Sequence, residues 1–221
     1  MGAFQVLAID CTFDPETSTA SGYRSSFVLP ALQQAGLAVS ELQGSHVNPA
    51  EVHAAAAAPS LRYLTGVSHG LFDTFTGDGG TSAVFTTGEL DPSWTQGRVI
   101  HFLACSTAKT LGPTLVSKGP GGGAAAAFFG YYDLFQWPDD SQYADLFFDC
   151  DAEVDRSLAN GATAGVALSN TIAKYNQEIN GLIQLGDPVS QHLANLLSQN
   201  LNLLRGPDGL NEYGDPNATI I

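Results

Sequence analysis

The chain has 221 residues, 44% of them hydrophobic, and a mean hydropathy of +0.03, the balance of a globular protein with one sizeable core. Eight Lys plus Arg stand against 22 Asp plus Glu, a formal net charge of −14, so a nucleic acid or other polyanion would be repelled over most of the surface. The longest apolar stretch, around Ala124 to Tyr132, falls far short of the ~20 residues that cross a bilayer, so no membrane partner is expected.

The opening MGAFQVLAID lacks the basic start, long apolar segment and cleavage site of a secretory signal, which predicts a cytoplasmic location. Three cysteines are too few for a disulfide framework, and their odd number fits reduced thiols. Phe4 to Ile9 is a short apolar run closed by Asp10 and predicts a first strand. The turn-rich TFDPETSTASG after it has the composition of a surface loop, and a helix is expected from about Ser25 to Ala35, ended by Gly36. Leu37 to Leu42 alternates as a strand does. Asn48 then supplies an N-cap and Pro49 a first helical position, opening an alanine-rich helix that Pro59 stops.

Leu61 to Ser68 predicts a strand that leads to His69. Leu71 to Gly97 is a long excursion with a hairpin expected around Ala83 to Thr87, the kind of loop that builds a site near a strand end. Val99 to Ala104 predicts the strand that leads to Cys105, with a helix from Ser106 to Val116 behind it, broken by the glycine run at 119–123. Ala124 to Phe129 is the next strand. Helical patterns follow over Asp139 to Leu158, Thr163 to Leu185 and Pro188 to Leu204, and the closing GLNEYGDPNATII is expected to form an edge strand with a Gly-Asp-Pro turn. This order of strands and crossover helices predicts one α/β domain over 1–221, a mostly parallel sheet of about six strands with helices on both faces.

Two apolar runs thus end in residues that can do chemistry. If they are neighbouring parallel strands, Ser68-His69-Gly70 and Cys105 reach the same sheet edge, where open α/β folds place their sites. A cysteine attacks carbonyls as thiolate and needs a base, partial exposure and donors for the oxyanion. His69 is the candidate base, and the Gly70 and Cys105 amides are the candidate donors. A helix starting at Ser106 would also lower the thiol pKa. On pattern alone Cys105 fits a buried core residue as well as a nucleophile. Asp73, Asp78 and Glu89 do not have the spacing of a calcium loop, and GPGGG lacks the Lys-Ser/Thr of a phosphate loop, so no metal or cofactor is expected. His101 is expected in the core, His46, His53 and His192 have no evident partner, and Cys11 and Cys150 are expected to be structural.

The run ending in Ser68-His69-Gly70, followed by one ending in Ala104-Cys105, resembles the histidine and cysteine blocks of caspase-like peptidases, the group of caspases, gingipains, clostripain, separase and CHAT domains. Leu111-Gly112, Phe129-Gly130-Tyr131 and the closing Tyr213-Gly214-Asp215-Pro216 are similar to the gingipain and CHAT type. The resemblance implies a three-layer caspase-like sandwich and a cysteine endopeptidase in which His69 assists Cys105 in attacking a peptide carbonyl, with a protein or peptide substrate and a possible separate regulatory protein. It departs from caspases in the 36 positions between His69 and Cys105, against the ~50 typical of them. Leu103 stands where caspases carry Gln and basic-specific relatives carry Asp, which leaves the residue preference at the cut open. Asp10 falls where relatives place a pocket-lining residue, and a carboxylate there would favour Lys or Arg; a loop-capping role is the alternative. A catalytically silent binding or scaffold module, and a thiol hydrolase or acyltransferase acting on non-peptide substrates, are the rival functions.

Overall fold

A computed structural model describes residues 5–138, 140–210 and 212–221. Phe4, Asp139 and Asn211, which fall in the expected first strand, first C-terminal helical pattern and closing segment, lie outside the described residues. Nine strands are described: β1 (Val6–Asp10), β2 (Val39–Gln43), β3 (Tyr63–Val67), β4 (Gly70–Leu71), β5 (Thr74–Thr76), β6 (Ala83–Thr86), β7 (Val99–Leu103), β8 (Ala127–Tyr131) and β9 (Leu204–Arg205). Six form one sheet in the order β2-β1-β3-β7-β8-β9, parallel except for β9, while β4-β5-β6 make a small antiparallel sheet within the long excursion.

The central strands β1, β3, β7 and β8 are buried at every position, so alternate residues feed two cores. Val6 and Ala8, Val99 and Leu103, and Phe129 and Tyr131 face one cluster; Leu7 and Ile9, Ile100 and Phe102, and Phe128 face the other. Helices α1 (Pro15–Tyr23), α2 (Leu29–Gln34), α6 (Ala144–Asp151), α7 (Glu153–Ala159), α8 (Ala164–Leu185) and α9 (Pro188–Leu203) supply the first layer. Helices α3 (Pro49–Ala56), α4 (Pro92–Thr95) and α5 (Leu111–Val116) supply the second. The expected three-layer α/β architecture is thus the observed one.

Three local expectations are corrected. The helix expected at Ser25 begins ten residues earlier: Asp14 accepts from the Thr17 amide at 2.8 Å and Pro15 occupies the first turn, an N-cap and N1 proline inside what reads as a loop. This helix runs into α2 through a π-helical turn over Arg24–Val28, just ahead of Pro30, which has no N–H to give to the carbonyl four residues back.

The segment after Cys105 is not helical until Leu111. The Ser106 amide donates to the Asp133 carbonyl, the Ala108 amide to the Tyr131 carbonyl and the Thr107 hydroxyl to the Ala104 carbonyl, so the extension of β8 takes donors that would otherwise start a helix. Finally, the sheet edge beside β8 is β9, not the C-terminal segment. That segment touches β8 through a single bridge between Ala127 and Gly214 and then turns to cap α8, whose Ala164 and Gly165 amides donate to the Ala218 and Pro216 carbonyls. Among the described residues no helix is long and apolar enough to cross a membrane.

Candidate active site

Strands β3 and β7 are hydrogen-bonded parallel neighbours with Val67 paired to Leu103, so His69 and Cys105 each stand two residues beyond the same rung of the ladder. Equal offset from a shared register brings the two chain segments out of the sheet at the same level. Both residues line one cavity of about 150 Å³, together with Thr17 and Ala20 of α1, Val67, Leu103, Phe135 and Trp137.

His69 is held from both ends. Its carbonyl accepts from the Thr76 amide at 3.1 Å and the Thr76 hydroxyl at 2.9 Å, which ties the loop to β5. Its ring packs edge-on against Phe13 at 5.5 Å, and its Nε2 lies 2.6 Å from Asp14 Oδ2. Partial burial pushes the Asp14 carboxyl up, but hydrogen bonds from the Thr17 amide and hydroxyl and from His69 outweigh it and hold the group below the usual carboxylate range. Asp14 therefore stays anionic beside an imidazole that is half exposed. Sequence reasoning missed it; the signal was Asp14-Pro15-Glu16-Thr17, a helix start in loop-like composition.

Cys105 is partly buried at the cavity wall. Burial raises its thiol pKa above the ordinary value, opposed by the Phe135 amide, which donates to the sulfur. The expected acidification by a helix beginning at Ser106 does not occur, because no helix starts there: Ser106 has φ +60°, a strained left-handed conformation for a residue with a Cβ, and it turns the chain sharply after the sulfur. Gly70 is required for a reason other than access to substrate. A Cβ on it would collide with the Cys105 carbonyl and lie 2.7 Å from a Thr107 methyl, so the His69 loop is packed directly on the Cys105 backbone.

Asp10 is not a lining residue of this cavity, and that expectation is corrected. It is fully buried at the end of β1, where Arg24 Nε donates to it at 2.8 Å. Burial raises its carboxyl and the guanidinium only partly offsets this.

The same face of the sheet holds His101, whose Nδ1 lies 3.0 Å from Asp155 and whose Nε2 lies 3.2 Å from Asp151, all buried. Tyr63 and Thr65 donate to Asp155 and Tyr131 donates to Asp151. Burial alone would lower the imidazole pKa, but the two carboxylates lift it to about 9. These three residues are the one group among the described residues with metal-like clustering. The two carboxylates, however, bond opposite ring nitrogens and lift the imidazole pKa, so the geometry is that of an imidazolium clamped between two anions.

Elsewhere, His46 pairs with Glu51 at 2.8 Å, His53 contacts the Val84 carbonyl and stacks on Trp94 at 3.5 Å, and Cys11 and Cys150 are buried thiols with pKa values pushed up by burial.

No protein-family model matches the chain, and no curated protein matches it. Among solved structures, that of the Arg-specific cysteine proteinase gingipain R (RgpB) superposes with a TM-score of 0.64 over 97% of this chain at 14% identity. The fold is caspase-like. The complex of the pro- and mature domains of RgpB from Porphyromonas gingivalis superposes comparably, with a TM-score of 0.62 over 97% of this chain at 14% identity. This chain spans about half the length of those proteins, 47% and 48%. At such identity the likeness carries the caspase-like architecture alone, and the chemistry must be argued from the cavity.

Proposed function

We propose that the chain is a cysteine endopeptidase whose nucleophile is Cys105 and whose acid and base is His69. The observation that carries this reading is that a thiol and an imidazole, at equal offsets beyond paired strands of a gingipain-like fold, line one cavity, with the imidazole Nε2 bonded to an anion. Cys105 passes its proton to His69 as its sulfur bonds to the peptide carbonyl carbon. The oxyanion takes hydrogen bonds from the Gly70 and Cys105 amides. His69 returns the proton to the departing amine as the C–N bond breaks, and water, deprotonated by His69, then releases the acid and regenerates the thiol. Asp14 holds the ring and stabilises the imidazolium that forms. A separate regulatory protein belongs to this reading, supported by the complex of pro- and mature domains among the neighbours.

The test is labelling with a peptide-directed thiol probe. Modification of Cys105 that is lost in His69→Ala, with hydrolysis of peptides, supports the endopeptidase; absence of both, in a folded protein, supports a silent binding module. Turnover of small esters without peptide cleavage would instead favour the non-peptide hydrolase.

A further inference from the structure

The cavity beside the dyad also carries a reading of what it accepts. Apart from the dyad and Glu16, its walls are mostly apolar, Ala20, Val67, Leu103, Phe135 and Trp137, and the two polar residues in them, Thr17 and Ser68, have their hydroxyls bonded to Asp14 and Thr76. A mostly apolar hollow of about 150 Å³ is large enough to hold a benzene-sized group. The one carboxylate lining it is Glu16, exposed in the first turn of α1, where it can stay hydrated instead of waiting at the bottom of the cavity. Arg24 and Asp10, a buried pair, are bonded to each other, and neither residue lines the cavity. A charged side chain entering would lose its hydration without gaining a buried partner, whereas an aliphatic one would trade water for apolar walls.

Resting on the peptidase reading, we propose that this cavity receives the side chain of the residue whose carbonyl Cys105 attacks, and that this residue is uncharged and apolar, of leucine or valine size. The occupant follows from continuity: His69 and Cys105 are themselves part of the wall, so a carbonyl at the sulfur places its own side chain here. A second hollow of about 560 Å³ shares Glu16, Phe135 and Trp137 with the first and is lined further by Gln136, Pro138 and His192, which leaves room for neighbouring residues of an extended peptide. The fold neighbour gingipain R is Arg-specific by description; this chain, with Leu103 in the wall, is assigned the opposite preference.

The experiment is a panel of fluorogenic peptides and matching peptidyl acyloxymethyl ketones that differ only at the residue before the cut: Leu, Val, Ala, Arg, Lys and Asp. Leu or Val is expected to exceed Arg, Lys and Asp by about 100-fold or more in kcat/KM, with the same order in the rate of Cys105 labelling. In Ala20→Val, which narrows the cavity, the Leu-to-Ala ratio, a quantity independent of the fraction folded, is expected to fall about tenfold. Faster processing of Arg, Lys or Asp, or an unchanged ratio in Ala20→Val, overturns the preference and leaves the peptidase intact. Failure of every peptide while iodoacetamide still modifies Cys105 overturns the peptidase reading and this proposal with it.

Discussion

Asp14 Oδ2 stands 2.6 Å from His69 Nε2, joining residues 55 positions apart, and the same carboxylate caps α1 through the Thr17 amide. One side chain thus fixes both the start of a helix that walls the cavity and the position of the imidazole that lines it beside Cys105.

Substituting Asp14→Asn separates these two duties. Asparagine caps a helix about as well as aspartate, so thermal stability should change by less than about 1 kcal/mol. The anion that steadies the imidazolium is lost, and kcat should fall by about 10²-fold or more with little change in KM. A kcat equal to wild type in a steady-state assay would remove Asp14 from the machinery.

Burial lifts the resting Cys105 thiol above its ordinary pKa, so alkylation by iodoacetamide should be slower than that of free cysteine at neutral pH and should rise with a midpoint above that of a free thiol. Cys11, pushed up to about 12, and the buried Cys150 should stay unmodified in the folded protein. Peptide mapping by mass spectrometry across pH 6 to 10 measures all three; a midpoint below neutrality would mean that the resting pair is already ionised.

Gly70→Ala drives a methyl group into the Cys105 carbonyl, and the backbone there has no flexible end to move aside. The loop must shift to relieve it, at a cost of about 1–3 kcal/mol. Because that loop carries His69, activity should drop more than stability does. Urea denaturation and kcat compared on the same preparation would reveal the difference, and full activity in the variant would contradict the packing.

His101 is clamped by Asp151 and Asp155, with Asp10, Arg24, Tyr63, Tyr131 and Tyr175 completing the buried network around it. Its folded pKa of about 9 lies above the ordinary ~6.5, so its contribution to stability is complete below about pH 6.5 and is lost as pH rises through about 9. Asp155, held far below the usual carboxylate range, acts in the other direction: its contribution is present above about pH 4 and fades as pH falls. The urea midpoint should therefore decline on the alkaline side, and the His101 ring should remain protonated at pH 8 by NMR. A neutral His101 at that pH would refute the clamp.

Much of the layout was legible in the residues. Short β-rich runs separated by capped helices identify a parallel sheet because only crossovers join parallel strands, and the run-ending His69 and Cys105 follow from the same pattern. The misreadings share one cause. Asp14 and Pro15 sit among turn-forming residues whose preferences fit a loop and a helix start alike, and Ser106 to Thr110 carries helical composition but spends its amides on β8.

By itself, the sequence determined which segments are apolar enough to become buried strands and helices, since burial of that periodic surface drives folding locally and globally. Only the tertiary structure decided which polar groups meet. Asp14 reaches His69, Asp10 turns inward to Arg24, and His101 lies between two carboxylates, because such contacts join residues remote in the chain and depend on ångström-scale placement that no local pattern encodes.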